Sequence, residues 1–236
     1  MLPLPLYLLH VLDLTRSAAG AFAGRALADL GAEVVCVESA AAPSPLRADA
    51  AAFRSLSRNK FSLALDLDGS GGRDLCLSLA AAFDVALVEP GAPLDVDALR
   101  AVSPELIVVS IDAAGDSAAT GLAAAAGTLT ALFHHRATGQ GQAVIVAGEE
   151  VAAGLAAVAP AAAAGPPALE ALDGFFEAVA GPEGSVAPLD GVPYRFSRTP
   201  AHVRLPAPAL GEHSSDVLGH FLNLSAAEVA ALLAVD

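Results

Sequence analysis

The stretch from Leu106 to Ala147 constrains the fold most. It reads LIVVSIDAAGD, then SAATGLAAAAGTLTALFHHRATGQGQ, then AVIVA. Leu106 to Ile111 is a β-branched run of the kind that forms a strand covered on both faces. Gly115-Asp116 marks a tight corner. No charged residue occurs from Ser117 to Phe133, which predicts a helix buried almost all round. A glycine turn and a second apolar strand, Ala143 to Ala147, close the unit. Asp116 falls where a helix N-cap belongs, and the positive end of the helix favours its ionised form. A carboxylate in that position serves as a cap or as a nucleophile, and both readings stand at this point.

The rest of the chain repeats the alternation. Leu8 to Leu14 predicts a strand that leads into Thr15-Arg16, and a helix follows from Ala18 to Leu30, closed by Gly31. Glu33 to Glu38 is a second strand. Ala40 to Leu56 starts irregularly, at Pro43 and Pro45, and ends in a helical turn. The basic cluster Arg58-Asn59-Lys60 precedes a strand from Ser62 to Leu67. A helix then runs to about Phe83, with a strand at Val85–Val88 and a short helix at Val96–Val102. This pattern defines an α/β protein with an open, mostly parallel, Rossmann-like sheet and helices on both faces. Ligands in such sheets lie beyond the carboxyl ends of the strands. Arg16, the Arg58 cluster, the Pro90 turn and Asp116 all sit in connections that could reach that edge.

Composition limits the partners. The chain has 236 residues, 55% of them hydrophobic, with a formal net charge of −14. That charge argues against nucleic acid. The mean hydropathy is +0.58, yet no run has the bulk and length of a membrane span, and the longest, Val151 to Ala168, carries three prolines. The start, MLPLPLYLLH, lacks a basic n-region, so a signal peptide is not expected. Cys36 and Cys76 have no metal-ligand spacing and read as reduced core thiols, in keeping with the cytoplasm. No metal is expected. No GxGxxG, P-loop, GxSxG or HExxH motif is present. His134-His135-Arg136 reads as cationic complement to a helix C-terminus, and His10 as a packed core histidine.

After Val158 the pattern loosens. Ala161 to Ala168 is low-complexity, Leu169 to Val179 reads as a helix, and Pro182 to Pro193 is turn-rich. A helix from Asp216 to Phe221 follows Ser214 or Ser215 as a cap. Ser225 and Glu228 form a capping box for the last helix. The expected organisation is a core over 1–158, a shortened linker over 159–193 and a segment over 194–236 that returns to the core.

Several pieces together resemble the family III CoA-transferases, the group of formyl-CoA transferase, carnitine CoA-transferase and α-methylacyl-CoA racemase. They are VLDLTR at Val11–Arg16, AFAGRALADLGAEVVCVE at Ala21–Glu38, the RNK cluster with SLALDL, PELIVVSI at Pro104–Ile111, HRATGQGQAVIV at His135–Val146, and FSRTPA with APALGEH between Phe196 and His213. The resemblance implies a coenzyme A thioester as substrate and places Asp116 at the catalytic aspartate. It makes Arg16, Arg58 and Lys60 the phosphate partners, and it implies a homodimer. Members are much longer, and their glycine-rich segment, their racemase histidine and their small domain have no counterpart here. Three functions follow from it. The first is a CoA-transferase-like enzyme with an aspartate nucleophile, acting on an acyl-CoA or a carboxylic acid. The second is a catalytically degenerate protein that binds CoA, a carrier protein or a partner subunit. The third is an acyl-thioester racemase, in which His134 or His135 would have to replace the missing base.

Overall fold

The computed structural model describes residues 3–114, 117–158, 176–180, 186–193 and 196–233. Strands and helices alternate as β1 (His10–Asp13), α1 (Ala18–Asp29), β2 (Glu33–Glu38), a 3-10 turn (Pro45–Ala48), α2 (Ala50–Leu56), β3 (Lys60–Ala64), α3 (Ser70–Ala80), β4 (Val85–Val88), α4 (Val96–Val102), β5 (Ile107–Asp112), α5 (Ser117–Thr138), β6 (Ala143–Ala147) and α6 (Gly148–Val158). The hairpin strands β7 (Phe176–Ala180) and β8 (Val186–Asp190) and the helices α7 (Ser214–Leu222) and α8 (Ala226–Leu233) complete the described chain. Six strands form one parallel sheet in the order β3-β2-β1-β4-β5-β6. That is the doubly wound order, with the topological switch between β1 and β4.

Burial explains why these residues make these strands. Val11, Leu12, Val85, Ala86, Leu87, Val108 and Val109 are fully buried, as expected where helices cover both faces of a sheet. One core lies under α3, α4, α7 and α8 and includes Cys76, Leu79, Leu99, Leu218 and Val229. The other lies under α1 and α5 and includes Ala19, Leu27, Ala124 and Ala131. Small residues let α1 and α5 approach closely: a Cβ on Gly121 would stand 2.5 Å from the Ala19 carbonyl oxygen. Side-chain caps fix the helix starts. Ser17 accepts from Gly20 N–H, Asp95 accepts from Ala98 N–H, and the Ser225–Glu228 box holds α8.

Four expectations change. The charge-free helix is not buried all round, because Leu122, Leu129 and Phe133 are 48%, 38% and 79% exposed. The absence of charge shows only that no face needs water. Residues 176–180 form a strand paired antiparallel with β8 rather than the end of a helix. The rest of that expected helix and the Ala161–Ala168 tract lie outside the described residues. Ala40–Leu56 contains a 3-10 turn and a capped helix, in which Asp49 accepts from Ala51 and Ala52 N–H. His10 is about one-third exposed at the amino edge, between Asp84 and the rings of Phe83 and Phe221.

The segment that follows β8 returns to the sheet. Asn59 N–H donates to the Leu205 carbonyl, and residues 211–214 line the outer edge of β3. β6 forms the opposite edge of the sheet.

Candidate functional site

The turn between β1 and α1 is built around a buried carboxylate at the carboxyl end of β1. Asp13 Oδ1 accepts from the N–H of Thr15 at 3.1 Å and from its hydroxyl at 2.6 Å. Asp13 Oδ2 accepts from Lys60 Nζ at 3.0 Å and from the Cys36 thiol at 3.5 Å. Lys60 also donates to the Ala21 carbonyl at 2.9 Å. Burial works against the Lys60 charge, but the Asp13 carboxylate outweighs it and raises the ammonium above its usual range. Burial is also the main cause that pushes the Cys36 thiol up, and it pushes Cys76 up to about 12. Neither cysteine is a ready nucleophile.

This turn presents Arg16 and the amino end of α1 at the carboxyl edge. Ser17 N–H donates to Glu89 Oε1 at 2.8 Å. Arg16 is exposed, and its two terminal nitrogens donate to the Ala42 and Pro43 carbonyls at 2.9 and 3.0 Å. Those carbonyls belong to a loop held from below by Glu38, which accepts from Ser44 N–H and pairs in a two-point grip with Arg47 at 2.9 and 2.7 Å. Together these groups wall a recess of about 70 Å³ lined by Leu14, Arg16, Val37, Ser39, Leu67 and Pro93, among others. Ligand clefts usually hold about 300–1,000 Å³, so this recess seats one end of a CoA-sized ligand rather than the whole. Arg16 supplies the cation there, and Glu38 is already neutralised by Arg47.

Arg58 and Lys60 stand elsewhere. Arg58 precedes β3 and so lies at the amino edge, away from Arg16. It is fully buried. Its Nε and one terminal nitrogen donate to the Asp29 carboxylate at 3.1 and 2.8 Å, and the other terminal nitrogen lies 3.2 Å from Asp190. Asn59, in the left-handed region at φ 59, donates to Asp29 and accepts from the N–H groups of Arg204 and Leu205. Asp190 also pairs with Arg25 and accepts from Ser55. Burial pushes the Asp190 carboxyl up, but the Ser55 hydrogen bond and the two guanidinium groups hold it below the usual carboxylate range. The two cations of the basic cluster are therefore held in three ion pairs, Arg58 with Asp29 and Asp190 and Lys60 with Asp13, and only Arg16 of the three cations is exposed at the carboxyl edge.

Asp116 lies outside the described residues. Its neighbours are placed: β5 ends at Asp112, Asp112 Oδ1 accepts from Ala114 N–H, and α5 starts at Ser117. His134 is seventeen residues into the chain from that start, roughly 25 Å along the helix axis, which separates it and His135 from any chemistry at the amino end of α5. Sequence reasoning missed Asp13 and Glu89 as groups that shape the site. The aspartate of the DLTR motif and the glutamate beside Pro90 were the available signals.

The fold and this edge define a doubly wound α/β protein with a small recess at its carboxyl edge, lined by Arg16 and by the carboxylates Glu38 and Asp68. Residues 8–119 match the model of CoA-transferase family III. The succinyl-CoA:glutarate CoA-transferase of Mus musculus is 34% identical over 149 residues, which cover 55% of this chain and 34% of that protein. The CoA-transferase/lyase DddD of Marinomonas sp. is 37% identical over 117 residues, 46% of this chain and 13% of that protein. The chain thus spans about a third of the length of the first of these relatives. A CAIB/BAIF family protein from Brucella suis superposes with a TM-score of 0.79 at 19% identity, covering 93% of this chain and 100% of that one. A hypothetical protein from Mycobacterium tuberculosis gives 0.77 at 20%, covering 91% and 99%; at these identities the likeness concerns the fold. Over residues 8–119, a little under half of its length, the chain is similar to CoA-transferase family III.

Proposed function

We propose that this chain performs CoA-transferase chemistry on an acyl-CoA thioester and a carboxylic acid, with Asp116 as nucleophile. The family match through residue 119, which includes the start of α5, carries the reading. The Asp116 carboxylate attacks the thioester carbonyl, the C–S bond breaks, and CoA leaves as the thiolate. The mixed anhydride so formed is attacked by that thiolate at the aspartyl carbonyl, which releases the acyl group as a carboxylate and leaves an aspartyl thioester. The incoming acid reverses the sequence. Helical N–H groups at the start of α5 favour the ionised carboxylate. Arg16 and the recess beside it bind one phosphate-bearing end of the thioester. Lys60 and Arg58 act from behind, Lys60 through Asp13 and the β1–α1 turn.

A second reading is a degenerate member that binds CoA, a carrier protein or a partner subunit without turnover. The racemase reading loses support because His134 and His135 stand far along α5. A homodimer accompanies the first reading. It is supported by the apolar stripe of Leu122, Leu129 and Phe133 on α5, which are 48%, 38% and 79% exposed. Assay of acyl transfer from a panel of acyl-CoA thioesters to carboxylic acids tests the enzyme reading. Turnover that Asp116→Ala abolishes supports it; undiminished turnover in that variant rejects it; CoA binding without turnover leaves the second reading.

A further inference from the structure

The outer edge of β3 is closed by side chains rather than by another strand. Ser62 is the centre of this closure. Its carbonyl accepts from His213 N–H at 3.0 Å, its own N–H donates to His213 Nδ1 at 3.2 Å, and its hydroxyl accepts from Gly211 N–H at 3.0 Å. One residue of an antiparallel neighbour would make the same two backbone bonds. Two positions on, Ala64 N–H donates to the Ser214 hydroxyl at 3.0 Å. His213 is also the N-cap position of α7, yet its side chain makes no capping bond and turns back to the strand instead.

The pairing requires a neutral ring. An imidazole accepts at Nδ1 only when its proton is on Nε2, and the imidazolium is a donor at both nitrogens. Protonation would set two N–H donors against each other at Ser62. The neighbours of the ring are aromatic and charged. From β3 it meets the Phe61 ring edge-on at 4.9 Å, and the strand's cation, Lys60, is held by Asp13. Glu212, beside it in the turn, is engaged with Ala209 N–H, and Asp216 lies in the first turn of α7.

We propose that His213 is a proton-operated clasp that closes the β3 edge when neutral and releases residues 209–214 when protonated. Pro208, the residue just before that segment, carries the carbonyl that accepts from Arg47, the residue that grips Glu38 under the recess loop. Release therefore uncovers a sheet edge and loosens the rim beside Arg16 together. The clasp is independent of the transferase reading, because it concerns backbone pairing alone.

Amide hydrogen exchange tests it, read as protection factors of Ser62 and Ala64 against the β5 amide of Val109 as internal control. Between about pH 7.5 and about pH 5.5, the range in which histidine changes charge, Ser62 protection in the wild type falls about tenfold or more while Val109 holds. In His213→Asn the side-chain oxygen accepts at either pH and protection stays flat. In His213→Ala it is low at both. Constant Ser62 protection in the wild type, a fall shared equally by Val109, or the same fall in His213→Asn would each overturn the proposal.

Discussion

Arg58-Asn59-Lys60 looks like a solvent-facing basic patch in the sequence and is an interior device in the structure. Its anions lie far off in the chain: Asp13 is 47 residues from Lys60, and Asp29 is 29 residues from Arg58. No local pattern shows such pairs. Arg16, by contrast, follows a strand directly, and its place at the carboxyl edge was legible from that alone. The two kinds of cation separate in experiment. Lys60→Met strands a buried carboxylate, and chemical denaturation is expected to show a loss of about 3–5 kcal/mol. Arg16→Ala is expected to leave stability within about 0.5 kcal/mol and to weaken CoA binding roughly tenfold by calorimetry. Equal affinity in Arg16→Ala would remove that residue from the site.

Asp190 carries a second prediction at this scale. Its carboxyl is held low in the folded chain, so its stabilising contribution is present above the ordinary aspartate range and is lost as pH falls through that range and below it. Melting temperatures followed from about pH 6 down to about pH 3 should fall more steeply in the wild type than in Asp190→Asn. Parallel curves would count against the role given to Arg25 and Arg58.

At the scale of elements, the alternation of β-branched runs with alanine-rich segments was enough to specify the parallel sheet and most of its helices. Two elements escaped it. Residues 176–180 fall in a stretch that reads as helix, and their strand character comes from pairing with β8, a contact made through space. The exposed face of α5 escaped because alanine and leucine fill both its covered and its open sides. Its covered side is specified by small residues. Gly121 lets α5 meet α1 at backbone distance, and Gly121→Ala places a methyl group against the Ala19 carbonyl and Phe22 Cβ. A loss of about 1–3 kcal/mol is expected from this overpacking, against no loss if the two helices can part freely.

For the molecule as a whole, the open face of α5 is the largest feature the sequence could not place. A charge-free stripe of Leu122, Leu129 and Phe133 needs a cover, and the family resemblance already implied a homodimer. Light scattering should give twice the chain mass for the wild type and the single mass for Phe133→Glu, whose exposed site leaves the fold intact. A wild-type monomer would contradict the assignment of this face. The family resemblance was legible as motifs in order, DLTR through the strand before Asp116.

The central claim is that the Asp116 carboxylate forms a covalent link with its substrate. Incubation with a turned-over acyl-CoA, rapid quenching and mass spectrometry of the peptide spanning α5 tests it most directly. The account predicts a CoA thioester on Asp116 that disappears when the acceptor acid is added and is absent in Asp116→Ala. Continued acyl transfer with no such adduct, or an adduct that persists in Asp116→Ala, would contradict it.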